Sequence, residues 1–296
     1  MEYKRTIASS INTVIRHREY YNRYIANTPM NKRKICYITD LDMEMFCNQL
    51  ITKHSMSRKE FGNVKTILNG MFEYARRKGY VKTNIMNDVR ISAKFRQLVR
   101  KTGQTQTYTT TEKTNILKYL DSKYEETKDL GYLAVAVNFM IGLRVAELVA
   151  LKWEDLDGNT LHITREQILN KETREYEIVP HTKTYSDRYV IIPKMAVELF
   201  DRIPREYEYI FTRNGKVLTT RQIAYILEKY AKTTHNQVKS SHKIRKNYAS
   251  TLSIKGVPLD MIRQQLGHNN LGTTLAYIYN SLDTDETISL IDSAFD

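Results

Sequence analysis

Apolar positions recur every three or four residues along much of the chain, the spacing of helices with one buried face. Residues 5–25 read as such a helix, with basic residues scattered along it. Thr39 is placed to cap a second, "TDLDMEMFCNQLI". Ser57 and Glu60 form a capping box ahead of "FGNVKTILNGMFEYARRKG". In that stretch Phe61, Val64, Leu68, Met71, Phe72 and Ala75 hold helical spacing, and Gly79 supplies a stop. Periodicity is lost over residues 93–110, "AKFRQLVRKTGQTQTYTT", which read as a linker. Thr109 and Glu112 open the next helix, followed by the strongly apolar "LGYLAVAVNFMIG" and a short "LRVAELVAL". Three strand-like stretches come next, "TLHITRE", "YEIVPHT" and "RYVIIP". Helices are expected again at 194–203, 219–231, 240–255, 258–266 and 272–279, with a tight turn at Asn214-Gly215.

The expected fold is therefore mainly α with a small antiparallel β-sheet. A helical module spans residues 1–95, a linker 96–109, and an α+β domain 110–280. Residues 281–296 form a tail helix whose Ile288, Ile291, Ala294 and Phe295 make an apolar stripe. The length of 296 residues fits about two domains.

Charge changes this picture once it is located. Residues 1–103 hold 21 Lys+Arg against 8 Asp+Glu, whereas residues 104–296 hold 25 of each. The whole net charge of +13 thus lies in the first third, as expected of a segment that grips a polyanion such as DNA. Arg58 and Lys59, at the start of a capped helix, are candidate DNA contacts, with Lys65, Arg96 and Lys101. No apolar run is long enough to span a membrane, and "MEYKRTIASS" lacks the apolar core of a signal peptide. Cys36 and Cys47 have no metal or redox spacing and are expected to be buried free thiols. These features point to a cytoplasmic, DNA-associated protein without a membrane partner.

The candidate chemistry lies in the last two thirds. In "GLRVAEL", Arg144 and Glu147 are three apart, on one helix face. In "HTKTYSDRYVIIP", Lys183 follows a strand and precedes a turn-like Tyr-Ser-Asp, as on a hairpin tip. In "SSHKIRKNYAS", His242 and Arg245 are again three apart. In "LGHNNLGTTLAYIYN", His268 lies in a short connection before the helix carrying Tyr277 and Tyr279. Taken singly, each reads better as a surface ion pair, a solvated lysine or a packed histidine.

Together, "GLRVAEL", the "TK" of the hairpin, "HKIR" and "LGHNNLGTTLAY" resemble the motifs of the tyrosine recombinases, or phage integrase family. The likeness covers roughly residues 110–280. It is nearest to integrases of conjugative transposons and related mobile elements, and the helical first third resembles the family's core-binding domain. The resemblance implies that the two domains close as a C-shaped clamp on double-stranded DNA. It implies a homotetramer holding two duplexes, and it allows accessory DNA-bending or excision factors. Many integrases of mobile elements carry a further N-terminal arm-binding domain; this chain is expected to begin at the core-binding domain.

The resemblance assigns the family's active-site arginines to Arg144 and Arg245, its lysine to Lys183, its histidines to His242 and His268, and its nucleophile to Tyr277. Glu147 matches an acidic position supporting the first arginine. The implied reaction is DNA cleavage through a 3′-phosphotyrosyl link, with neither metal nor ATP as cofactor. The residue types suit it. Two arginines can each donate two hydrogen bonds to non-bridging phosphate oxygens. A lysine among arginines surrenders a proton more readily, which helps a 5′ oxygen depart. On a helix, residues two apart point about 200° away from each other. Only one of Tyr277 and Tyr279 can then face the phosphate, and the family spacing selects Tyr277. Other readings of the same motifs are a chromosome-dimer resolvase and a type IB topoisomerase-like strand transferase. A non-catalytic DNA-binding protein would not need the full set.

Overall fold

The computed structural model describes residues 11–98, 102–182 and 187–295. The chain divides into two compact units, with the boundary between residues 100 and 101 and residues 170–173 grouped with the first unit.

The N-terminal unit is helical. Its elements are α1 (Ile11–Tyr24), α2 (Asp40–Lys53) and α3 (Arg58–Arg77). The starts of α2 and α3 are fixed by side chains: Thr39 pairs reciprocally with Asp42, and Ser57 with Glu60. Met43, Cys47, Leu50 and Ile51 of α2 pack with Phe61, Val64, Leu68 and Phe72 of α3 in one apolar core. Met71, expected on the inner face, stands 36% exposed at its edge. Cys47 lies inside this core, where burial pushes its thiol up to about 12. Cys36 corrects expectation: it is exposed.

The second unit is built around α5. Its first helix, α4 (Thr110–Thr127), starts at the expected Thr109–Glu112 capping box. Then α5 (Leu130–Ile141) is apolar on every side, so only the middle of a core suits it. Leu133, Val135, Val137, Phe139 and Ile141 are all about fully buried, each stabilising by roughly 1.5–3 kcal/mol. Helices α6 (Lys194–Asp201), α7 (Thr220–Thr233) and α8 (Ser241–Ile254) follow, then α9 (Leu259–Leu266) and a tail helix, α10 (Thr284–Asp292). Helices α4, α6, α7 and α8 all pack on α5. No described helix is long and apolar enough to cross a membrane.

The β-structure is small and antiparallel, but divided. Strands β1 (Leu156–Asp157), β2 (Thr160–Ile163) and β5 (Arg188–Ile191) form one sheet in the order β1-β2-β5. A second is the pair β3 (Glu166–Leu169) and β4 (Tyr176–Val179). The third is the hairpin β6 (Thr212–Arg213) and β7 (Lys216–Val217), turned at Asn214-Gly215 with φ of 51° and 73°. "TLHITRE" is thus two strands rather than one. The break falls at Thr164–Arg165, where Arg165 turns aside to pair with Asp155 and Glu154 at 3.0 Å each. Strands β4 and β5 belong to different sheets and do not pair with one another. Lys183, between them in the chain, lies outside the described residues, as does Lys101.

Two boundaries were misjudged from the pattern. A single helical turn, Gly103–Gln106, sits within the expected linker. The expected helix 272–279 is only Leu271–Leu275.

Candidate active site

A short turn, Val145–Leu148, follows the αL residue that ends α5, and it places Glu147 in the core. The Glu147 carboxylate is 1% exposed and holds two arginines. Oε1 accepts from Arg144 Nη1 at 2.7 Å and from Arg188 Nη1 at 3.1 Å. Oε2 accepts from the Arg144 backbone N–H at 3.1 Å and from Arg188 Nη2 at 2.6 Å. Burial alone pushes the Glu147 carboxyl up. The forked hydrogen bonds and charge of Arg188, then the charges of Arg144 and Arg245, outweigh it and hold the group at about 2. The pair that reads as a surface ion pair when taken alone is part of a cluster around a buried carboxylate, with Arg144 partly exposed.

Arg188 was not singled out from the sequence. The available signal was an arginine opening the apolar run "RYVIIP". Its Nε also donates to the Gln265 carbonyl at 3.3 Å, tying β5 to the end of α9. Gly267 caps α9 at φ +61°, and a Cβ there would press on the Arg188 side chain. Glycine is required twice over, by backbone conformation and by the close approach. The Gly267 carbonyl accepts from Arg144 Nη2 at 3.4 Å.

Helix α8 supplies the next two groups. Arg245 is 1% exposed. Its Nη1 donates to the Gly142 carbonyl at 2.8 Å and its Nη2 to the Leu266 carbonyl. Burial pushes its guanidinium down to about 9, partly offset by Glu147, so the group stays charged at neutral pH. Its Nε is buried without a partner. His242, one turn earlier on α8, is exposed at its outer edge. Local desolvation, followed by the charges of Lys246 and Arg245, lowers it to about 4.

His268 is 5% exposed, with Nδ1 3.1 Å from the Thr274 hydroxyl. Burial and the charges of Arg245 and Arg144 lower it to about 3, so the imidazole is neutral. We assign the tautomer in which Thr274 donates to Nδ1, leaving the proton on Nε2. That Nε2 is buried without a partner.

Tyr277 completes the set, although not on a helix. The chain leaves helical geometry after Leu275, and the Tyr277 N–H bonds back to the Thr274 carbonyl at 2.9 Å. The helix-face argument between Tyr277 and Tyr279 therefore does not apply; position decides instead. The Tyr277 ring meets the His268 ring at 4.6 Å and the His242 ring at 5.0 Å, both edge-on, with the Arg245 guanidinium 6.0 Å from its centroid. Tyr279 lies against Lys246 instead, at 4.7 Å.

The structure thus brings together Arg144, Glu147, His242, Arg245, His268 and Tyr277, and adds Arg188 and Thr274. Three arginines face one carboxylate, which leaves a cationic excess. A cleft of about 530 Å³, with Arg188, Arg263 and His268 in its lining, opens beside them. Such a site suits a phosphate.

Residues 106–285, more than half of the chain, match the family model described as "Phage integrase family". The chain belongs to that family. Its members are tyrosine recombinases, which cleave and rejoin DNA. A "Tyrosine recombinase XerC-like" protein of Caldanaerobacter subterraneus is 24% identical over 96% of this chain and 78% of its own. The integrase of transposon Tn1549, solved with circular-intermediate DNA, has a similar fold. Its TM-score is 0.72 at 18% identity, over 99% of this chain and 97% of that one. Lambda integrase, solved as a dimer on a core site, matches at TM-score 0.63 and 18% identity, over 93% and 75%.

The candidate DNA contacts of the N-terminal unit are placed differently. Arg58, Lys59 and Lys65 are exposed along α3. The Arg58 guanidinium covers the Phe95 ring at 5.1 Å, and Arg96 pairs with Glu60 at 3.0 Å. Both arginines therefore help to hold the end of the unit, and Lys59 and Lys65 stand as the candidates for phosphate contact. Replacing both by alanine is expected to weaken duplex binding by the full chain on every sequence. It should also flatten the plot of log affinity against log salt by about one unit per lysine. Binding titrations at several salt concentrations check this, and an unchanged slope removes both residues from the interface.

Proposed function

We propose that the chain is a site-specific DNA recombinase that attacks duplex DNA with Tyr277, forms a 3′-phosphotyrosyl link and passes it to a 5′ hydroxyl of a second duplex. One observation carries this reading. Arg245 Nε, a buried donor without an acceptor, and His268 Nε2, a buried ring nitrogen without a partner that donates in the assigned tautomer, lie beside the Tyr277 ring. An unmet buried donor costs about 1–3 kcal/mol, and a scissile phosphate oxygen would satisfy both.

Arg144 and Arg245 would neutralise the non-bridging oxygens, with His268 as a neutral third donor. His242, kept neutral by its cationic surroundings, is suited to accept the phenol proton as the oxygen attacks. Lys183 would protonate the departing 5′ oxygen. Glu147, shared by Arg188 and Arg144, would aim Arg144. Because the covalent link retains the energy of the broken phosphodiester, no nucleotide is consumed.

We read the N-terminal unit as the core-binding domain and residues 110–280 as the catalytic domain, both acting on double-stranded DNA. Integration and excision of a mobile element is the role favoured by the fold-level likeness to the Tn1549 integrase. The likeness to a XerC-like recombinase favours chromosome-dimer resolution as the second reading. Selection of bound duplexes from a random-sequence library separates them. Element-end sequences support the first, and a palindromic chromosomal site supports the second.

The tail bears on assembly. Asp283 anchors its start by accepting the Thr111 N–H at 2.9 Å and hydroxyl at 2.7 Å. Beyond that point Ile288, Leu290, Ile291 and Phe295 are half or more exposed. A single amphipathic helix this short needs a surface to dock on. We read that surface as a neighbouring protomer in a cyclic tetramer on two duplexes. Deleting residues 284–296 should leave binding to one selected duplex intact and abolish synapsis in a gel-shift assay. Synapsis and strand exchange at full rate without the tail would remove this part of the proposal.

A further inference from the structure

The segment that follows the nucleophile has no helix to hold it, yet it must keep the Tyr277 oxygen in line. Part of its support comes from α8. The Tyr279 N–H donates to the Ser250 hydroxyl at 3.0 Å. The rest comes from residues 103–111, far away in sequence. Gly103 packs so closely that a Cβ on it would overlap the Asn280 carbonyl oxygen. Gln106 Oε1 accepts from Lys246 Nζ at 2.8 Å, and that ammonium group lies 4.7 Å from the Tyr279 ring and 5.8 Å from the Tyr277 ring. The Thr105 carbonyl accepts from Lys243 Nζ at 2.9 Å. The Tyr108 carbonyl accepts from Asn247 at 2.8 Å. Thr111 closes the run on Asp283. Residues 103–111 thus touch both the helix that carries His242 and Arg245 and the backbone just beyond Tyr277.

We infer that residues 103–111 are a clasp that fixes the position of Tyr277, and that Gly103, Gln106 and Lys246 are positioning residues for cleavage. Lys246 is the central member. It is 6% exposed, and it joins the clasp to the faces of both tyrosines. A cation held over an aromatic face restrains the ring without forming a bond to it. The clasp begins immediately after the N-terminal unit ends in the chain, so whatever displaces residue 103 also displaces Asn280.

This inference rests on Tyr277 being the nucleophile. The test uses the full chain and a nicked suicide duplex built on the sequence it selects from a random library. Single-turnover adduct formation is measured at saturating protein, together with duplex affinity and thermal stability. Gln106→Leu removes the acceptor of Lys246, and Gly103→Val forces Asn280 away. Each should slow adduct formation by about tenfold or more, since a nucleophile misplaced by an ångström loses up to about 10²-fold. Affinity should not change for Gln106→Leu, and the melting temperature should fall only modestly, since Lys246 loses one acceptor. Gln106→Glu, which keeps an acceptor for Lys246, should restore the rate. Wild-type rates in both Gln106→Leu and Gly103→Val overturn the clasp, as does a slowed Gln106→Leu that Gln106→Glu fails to restore. If Tyr277→Phe still forms the adduct, the fault lies instead with the choice of nucleophile.

Discussion

Tyr277→Phe is expected to bind the selected duplex as tightly as the wild type and to form no covalent adduct. The substitution removes one oxygen and keeps the ring. The edge contacts with His242 and His268 therefore persist, and so does the packing near Arg245. The Tyr277 ring meets both histidines edge-on. Tyr279→Phe should retain cleavage, because that ring faces Lys246 and its hydroxyl plays no part in the proposed chemistry. Adducts are read as slow-migrating bands on a denaturing gel. The reverse pattern, with Tyr279→Phe inactive and Tyr277→Phe active, would contradict the assignment.

Glu147→Ala is expected to have the second largest effect, and on two properties at once. It leaves the buried Arg188 side chain, 9% exposed, without its carboxylate, and it frees Arg144 to swing. Removing one partner of a buried ion pair typically costs about 3–5 kcal/mol, so denaturant unfolding of the catalytic unit should shift strongly. Adduct formation should fall even where the variant is fully folded, because Arg144 is no longer aimed. Acid titration gives an independent check. The Glu147 carboxyl is held at about 2 against an ordinary 4.5, so its contribution to stability is present above 4.5 and lost as pH falls towards 2. A folded Glu147→Gln variant should lose less stability over that range. Equal loss in wild type and variant would show that Glu147 is not the carboxylate responsible.

Much of the fold was legible in the sequence because its signals are local. The capping boxes at Thr39, Ser57 and Thr109 and the all-round apolar α5 are set by neighbours within a few residues. What escaped was set at long range. The strand "TLHITRE" breaks because Arg165 finds Asp155 and Glu154, and the helix expected at 272–279 stops at Leu275, ahead of the point where Tyr279 finds Ser250. The site was legible only as an ordered set of motifs, since His242, His268 and Tyr277 lie on three different elements. Arg188 was missed for the same reason. Its partner Glu147 is 41 residues away, and nothing local in "RYVIIP" marks the arginine as buried. Lys183, by contrast, was named from its motif and falls outside the described residues.

The central claim, that Tyr277 takes the DNA covalently, is tested most directly by mass spectrometry of the adduct. The wild-type chain is trapped on the nicked selected duplex, digested with protease, and the DNA-linked peptide is sequenced. The expected result is a 3′-phosphate ester on Tyr277, with a free 5′ hydroxyl on the released strand. A link to Tyr279 or any other residue, a 5′-phosphate ester, or no adduct on a duplex that is demonstrably bound would contradict it.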